Sequence, residues 1–193
     1  MNKHLYLMIV TALGTAMFFV IGKFVAIPTP IPNFSLFLQY AVLVVFSFYY
    51  GPIVGMGIGF LGHLLIDLLS GYGLWFSWIV SSGVFGLLVG LTSKIINKYT
   101  NPFKVTSMLL FSLFATIAGA ICWMVIAPSG DLLFYQEAYS VVFIEGIVAF
   151  ATNIASSLLI GIPIIYGLMR LPINNEDAML VAKATIPSMK TTL

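Results

Sequence analysis

The chain has 193 residues, of which 61% are apolar and only 7% charged, and its formal net charge is +2. Soluble domains carry roughly a quarter charged residues, so a water-exposed surface is excluded and a lipid-facing one is required. There are no basic runs or Arg-rich faces, which excludes nucleic acid as a partner.

Lys3 and His4 precede an apolar stretch from Leu5 to Gly22. It resembles a signal peptide only superficially, because it is too long for that and further apolar spans follow. A first transmembrane span is predicted over about residues 5–26. Pro28-Thr29-Pro30-Ile31-Pro32-Asn33 follows it, and prolines at this density impose extended backbone. A second span covers about 36–50 and ends at Gly51-Pro52, and a third covers about 53–69, broken by Ser70-Gly71-Tyr72-Gly73. A fourth covers about 75–96, ahead of the polar loop from Asn97 to Pro102. The fifth covers about 105–126 and is expected to end at Ala127-Pro128-Ser129-Gly130-Asp131. The sixth covers about 138–169, leaving a short polar cytoplasmic tail over 171–193. The expected fold is all-α, a single membrane domain over 1–193 built as a bundle of six transmembrane helices.

Lys and Arg placement orients this bundle. With a cytoplasmic N-terminus, Lys3, Lys94, Lys98, Lys104, Arg170, Lys183 and Lys190 lie inside, leaving only Lys23 outside. That is a strong positive-inside bias, and it puts both termini in the cytoplasm. The lone Cys122 rules out an intrachain disulfide and reads as an apolar filler.

Two rows of small residues stand out. Ala12 and Ala16, with Gly14 and Thr15 between them, and Gly51, Gly55 and Gly59 all permit close helix approach. Each row serves either packing inside the bundle or docking of an external partner. Ionisable residues inside spans are costly in lipid and mark function; here they are Lys23, His63, Asp67 and Glu145. The predicted topology puts all of them in the outer half of the bilayer, with His63 and Asp67 one helical turn apart.

Glu145, Thr152, Asn153 and Ser156 share one stripe of the sixth span. Asn33, Gln39, Tyr40, Tyr72, Trp75 and Trp78 surround the same mouth. Trp and Tyr there make either an interfacial belt or stacking surfaces for a ligand ring. Likewise Asp67 and Glu145 serve either structural pairs with His63 or Lys23 or a ligand's hydrogen bonds. His63, Asp67 and Glu145 make a thin constellation for a metal, and no cofactor is implied. The chain has no Gly-x-x-x-x-Gly-Lys-Ser/Thr loop, no His-Glu-x-x-His and no Gly-x-Ser-x-Gly. Six spans with an outward-facing site and no energy source suggest a capture subunit that depends on partners.

Ala12-Leu13-Gly14-Thr15-Ala16, the loop from Pro28 to Asn33, Gln39-Tyr40-Ala41 and Gly51-Pro52-Ile53-Val54-Gly55 form an ordered set. Gly59-Phe60-Leu61-Gly62-His63, Asp67 and Trp75-Phe76-Ser77-Trp78 extend it. The set resembles the substrate-binding (S) components of energy-coupling factor (ECF) transporters, prokaryotic vitamin-uptake ABC systems. The resemblance implies a six-helix S-component fold in the cell membrane, a non-catalytic role, and an extracellular pocket for a vitamin. It also implies docking through Ala12 and Ala16 onto a transmembrane coupling subunit, which works with two ATPases. Pyridoxine or hydroxymethylpyrimidine is the expected ligand, with riboflavin or cobalamin as alternatives. A stand-alone proton-coupled transporter is the competing class.

Overall fold

A computed structural model describes residues 2–25, 27–28, 35–71 and 73–171 of the chain. Its helices are α1 (Lys3–Phe24), α2 (Gln39–Tyr50), α3 (Pro52–Ser70), α4 (Phe76–Tyr99), α5 (Val105–Tyr135) and α6 (Tyr139–Arg170). Two short strands, β1 (Ile27–Pro28) and β2 (Ser35–Leu36), pair antiparallel with Ile27 opposite Leu36, between α1 and α2. The fold is therefore the all-α membrane bundle expected from the sequence. All the helices except α2 are long and apolar enough to cross a bilayer. With 12 residues, α2 reaches only about 18 Å against a hydrocarbon core of about 30 Å.

The packing is that of a membrane bundle. Met8, Leu13, Leu109, Leu113, Phe114, Ile144 and Leu159 are exposed on the outer surface, while Phe18, Tyr40, Leu43, Ile58, Phe85, Phe111, Trp123 and Ile165 fill the interior. Aromatic rings meet edge to face inside it, Tyr40 with Trp123 at 4.8 Å and Phe48 with Phe111 at 5.1 Å between centroids. Such pairs add to simple area burial.

Local sequence explains the helix boundaries. Asn2 caps α1 by accepting from the His4 backbone N–H at 3.1 Å, as short polar residues do at helix starts. Gly51 has φ +86°, so the chain reverses there, and Pro52 then opens α3. That left-handed conformation favours glycine, and proline suits a first helical position.

The glycine row packs internally. α3 and α4 make the most extensive helix contact in the molecule. A side chain at Gly55 would strike the Gly86 carbonyl and the Ser47 hydroxyl, and one at Gly59 would strike the Ser82 carbonyl. Close backbone approach substitutes here for the hydrophobic drive that lipid removes.

The fifth span differs from expectation. Ala127-Pro128-Ser129-Gly130-Asp131 does not end it; the helix continues to Tyr135. Residues Ile121–Ile126 form a wide π turn just before Pro128, and Ser157–Gly161 form another just before Pro163 in α6. Proline lacks a donor, and its ring crowds the carbonyl four residues back. A wide turn displaces that carbonyl, so the helix tolerates the ring.

The turn also resets the helix phase. In α5 the buried face carries Met108, Phe111, Ala115 and Gly119. At about 100° per residue, an unbroken α-helix would turn Asp131 roughly opposite to that face, toward lipid. One extra residue in the wide turn brings it back by about a quarter turn, and Asp131 is only 1% exposed.

Gly55→Val should force α3 and α4 apart at a cost of about 1–3 kcal/mol. The expected result is a lower thermal midpoint of the detergent-solubilised protein, followed by size-exclusion chromatography after heating. Half-buried Gly57, where an added side chain would meet only a Thr11 methyl, provides a milder comparison.

Candidate functional site

The polar side chains gather at the end of the bundle where α1, α3, α4 and α5 meet. Lys23, near the end of α1, donates from Nζ to the Leu69 carbonyl at 2.9 Å and to Ser70 Oγ at 3.0 Å. It thus places positive charge on the C-terminus of α3, where the helix dipole favours it. It pairs with neither Asp67 nor Glu145, so of the two structural partners the sequence offers these acids, only His63 is used, and only by Asp67.

His63 and Asp67 share one face of α3 and sit 3.6 Å apart, Nε2 to Oδ1. The other Asp67 oxygen accepts from the Trp75 backbone N–H at 3.0 Å, where α4 begins. On its other side His63 Nδ1 lies 2.7 Å from Ser82 Oγ, and Ser82 Oγ lies 2.8 Å from the Tyr40 hydroxyl. A hydrogen on Nε2 of His63 makes one consistent direction: Tyr40 donates to Ser82, Ser82 donates to His63, and His63 faces Asp67. This chain links α2, α4 and α3 from a core tyrosine that is 2% exposed to the mouth.

A second group ties α5 to the start of α4. Both carboxylate oxygens of Asp131 are engaged: the Ser77 hydroxyl donates to one, and the Trp78 indole N–H donates to the other at 2.6 Å. One turn on, the Tyr135 hydroxyl donates to the Leu74 carbonyl at 3.0 Å and accepts from the Phe76 backbone N–H at 2.9 Å. The Tyr135 ring packs against Trp75 with centroids 4.6 Å apart.

The other residues singled out from the sequence divide into groups. Trp75 and Trp78 are half-buried at this end, and Gln39, Tyr40 and Asn153 are buried. Asn33 and Tyr72 lie outside the described residues. Glu145 is exposed, at the edge of the inward face of α6 beside buried Gly146; it has no hydrogen-bond partner among the described residues and lies in electrostatic range of Asp131 and Glu137. In the α6 stripe, Ser156 donates to the Asn153 carbonyl at 3.2 Å and Thr152 donates to the Val148 carbonyl at 2.9 Å. These two hydroxyls therefore satisfy their own helix. Ala12 and Ala16 are exposed on α1.

Asp131, Ser77, Ser82, Trp123 and Tyr135 are absent from the sequence-derived site. Asp131 was hidden by Pro-Ser-Gly, which reads as a break, although Leu132-Leu133-Phe134-Tyr135 beyond it carries the apolar signal onward. Trp123 reads as an ordinary apolar residue in the middle of a span.

Several buried polar atoms have no partner among the described residues: Gln39 Oε1, Asn153 Oδ1, Trp123 Nε1, Thr15 Oγ1 and Ser47 Oγ. A cavity of about 400 Å³ opens between α1, α2 and α6, lined by Met17, Ile21, Val45, Phe46, Ile160 and other apolar side chains. With no polar group to orient a solute, it suits hydrocarbon rather than a polar ligand.

Apolar helices packed around one core, with Asp67, Asp131 and His63 gathered toward one end, make up an integral membrane bundle. The model of the family described as ECF-type riboflavin transporter, S component, matches residues 2–170. The chain is also 45% identical over 153 residues to a UPF0397 protein of Streptococcus pneumoniae strain CGSP14, covering 79% of this chain and 84% of the relative. A UPF0397 protein of Streptococcus pneumoniae strain P1031 matches to the same extent. The chain belongs to the ECF transporter S-component family.

Ser82→Ala would leave the Tyr40 hydroxyl and His63 Nδ1 without their shared partner. Loss of about 1–3 kcal/mol of stability is expected from stranding buried polar groups, read as a lower thermal midpoint in detergent. Ser81→Ala should do much less, because Ser81 donates only to the Ser77 carbonyl of its own helix.

Proposed function

We propose that this chain is the specificity subunit of an ECF-type vitamin transporter. It captures a small nitrogen heterocycle at the polar end and delivers it inward through a coupling subunit driven by two ATPases. The polar end faces the exterior and both termini face the cytoplasm, in keeping with the placement of Lys and Arg.

One observation carries the ligand class. The acceptors left open are the exposed Glu145 carboxylate and the buried Gln39 Oε1 and Asn153 Oδ1, which have no partner among the described residues, whereas Asp67 and Asp131 are already engaged within the bundle. Among the described residues the only lysine there, Lys23, already serves the end of α3. A donor-rich ring fits such a surface, and Trp75 and Trp78 offer faces for it. Pyridoxine or hydroxymethylpyrimidine meets both demands, and riboflavin, the substrate in the family's description, is the second candidate. Glu145 is the carboxylate of the set without a hydrogen-bond partner among the described residues.

The competing reading, a stand-alone proton-coupled carrier, has less support. The Tyr40–Ser82–His63–Asp67 chain stops in an aromatic core of Phe18, Phe85 and Trp123. Among the described residues no carboxylate, histidine or lysine continues it across the membrane.

Tryptophan emission of the purified protein should change on titration with pyridoxine or hydroxymethylpyrimidine, and mass spectrometry should detect the same compound carried through purification. Saturable binding by riboflavin alone would move the assignment to the second candidate. Failure of these three compounds and of cobalamin would remove the proposal.

Docking is tested separately. Ala12→Leu lies on an exposed face, so ligand titration should be unchanged while uptake by vesicles holding the whole transporter falls. Unimpaired uptake would place the docking face elsewhere.

A further inference from the structure

Trp78 is the tryptophan at the polar end whose indole N–H is held by a charged group, the buried carboxylate of Asp131. We propose that Asp131 is a positioning residue for ligand capture: its hydrogen bond fixes the tilt of the Trp78 ring and so sets the surface on which the ligand stacks. This rests on the reading of the polar end as the ligand site.

The geometry supports the assignment in three ways. Asp131 is 1% exposed, too enclosed to meet a solute directly. Both of its oxygens are already taken, by Ser77 and by Trp78 at 2.6 Å. Trp78 itself is half-buried, leaving part of its ring free for contact. The Ser77 bond holds the carboxylate against α4, and the Trp78 bond transmits that placement to the ring.

Placing the acid there depends on an unusual local fold. The wide turn over Ile121–Ile126 rotates the end of α5 so that Asp131 meets α4 rather than lipid, and Asp131 itself opens a second such turn, Asp131–Tyr135. Wide turns of this kind occur often at functional sites. The Tyr135 hydroxyl, bonded to Leu74 and Phe76, holds the same helix end against α4 independently. Loss of the Asp131 bond should therefore free the indole without releasing the helix.

The test needs two arms. First, Trp75→Phe with Trp123→Phe leaves Trp78 as the sole tryptophan. Adding Asp131→Asn in nanodiscs without ligand should then shift the emission and raise acrylamide quenching, whereas Ser77→Ala should alter both less. Second, pyridoxine, hydroxymethylpyrimidine and riboflavin are titrated calorimetrically into four proteins with all other tryptophans restored: unmodified, Asp131→Asn, Trp78→Phe and the double variant. Asp131→Asn is expected to weaken the bound compound about tenfold, in line with a charge-assisted hydrogen bond. In the Trp78→Phe background the same change should cost less than about twofold, the signature of two residues acting as one unit. An equal penalty in both backgrounds, or unchanged emission in the first arm, would overturn the proposal alone. If the unmodified protein binds none of the compounds, the reading of the site fails and the proposal with it. Should Asp131→Asn fail to fold, Trp78→Phe removes the same bond from the other side, and unaltered affinity there would also overturn it.

Discussion

In hydrocarbon a polar group without a partner has no water to turn to, and each such group costs several times what it would at a protein surface. This constraint organises the bundle. Lys23 is spent on the exposed carbonyl at the end of α3, Asp67 on the first N–H of α4, and Asp131 on Ser77 and Trp78. Each bond crosses between helices, so satisfying the polar groups also sets how the helices meet. The same hydrogen bonds that make the charges tolerable define the geometry of the end that carries them.

Two further devices make those crossings possible. Glycines on α3 and α4 bring the two backbones together, and only at that separation does Ser82 reach both His63 and Tyr40. A wide turn in α5 supplies the other, because a regular helix would carry Asp131 to the lipid side. Pro128 and the wide turn then form one unit. The proline prevents a regular hydrogen bond, the turn absorbs its ring, and the gain in phase delivers a carboxylate to the interior. A helix interruption that looks like a defect in the sequence serves here to aim a side chain.

What was legible in the sequence follows from this. Membrane helices announce themselves by composition and length, so six apolar helices, five of them long enough to span, and the gathering of Lys23, His63 and Asp67 could be read from spacing alone. His63 and Asp67 were recognisable as a pair because four residues make one helical turn. The extension of α5 was not legible, because Pro-Ser-Gly-Asp is the pattern of a helix end and a π turn has no simple sequence signature. The partners of Asp131 depend on helix phase, which a missed extra residue shifts by about a quarter turn, and so they escaped as well. Trp123 escaped for another reason: in a span that is apolar throughout, nothing separates a tryptophan facing the core from one facing lipid.

The unpaired atoms complete the picture. Tyr40 is held by Ser82, yet its neighbour in the sequence, Gln39, and its neighbour in space, Trp123, each bury a polar atom with no partner among the described residues, as does Asn153 on α6. Stranding such atoms costs about 1–3 kcal/mol each, and Thr15 Oγ1 and Ser47 Oγ on α1 and α2 share that condition. A binding protein has reason to tolerate that cost where a membrane anchor has none. A ligand that supplies the missing partners regains the energy on binding, and one that lacks them does not. On the proposed reading, selectivity would come less from the shape of an open cavity than from which solutes can satisfy groups the folded chain leaves unmet.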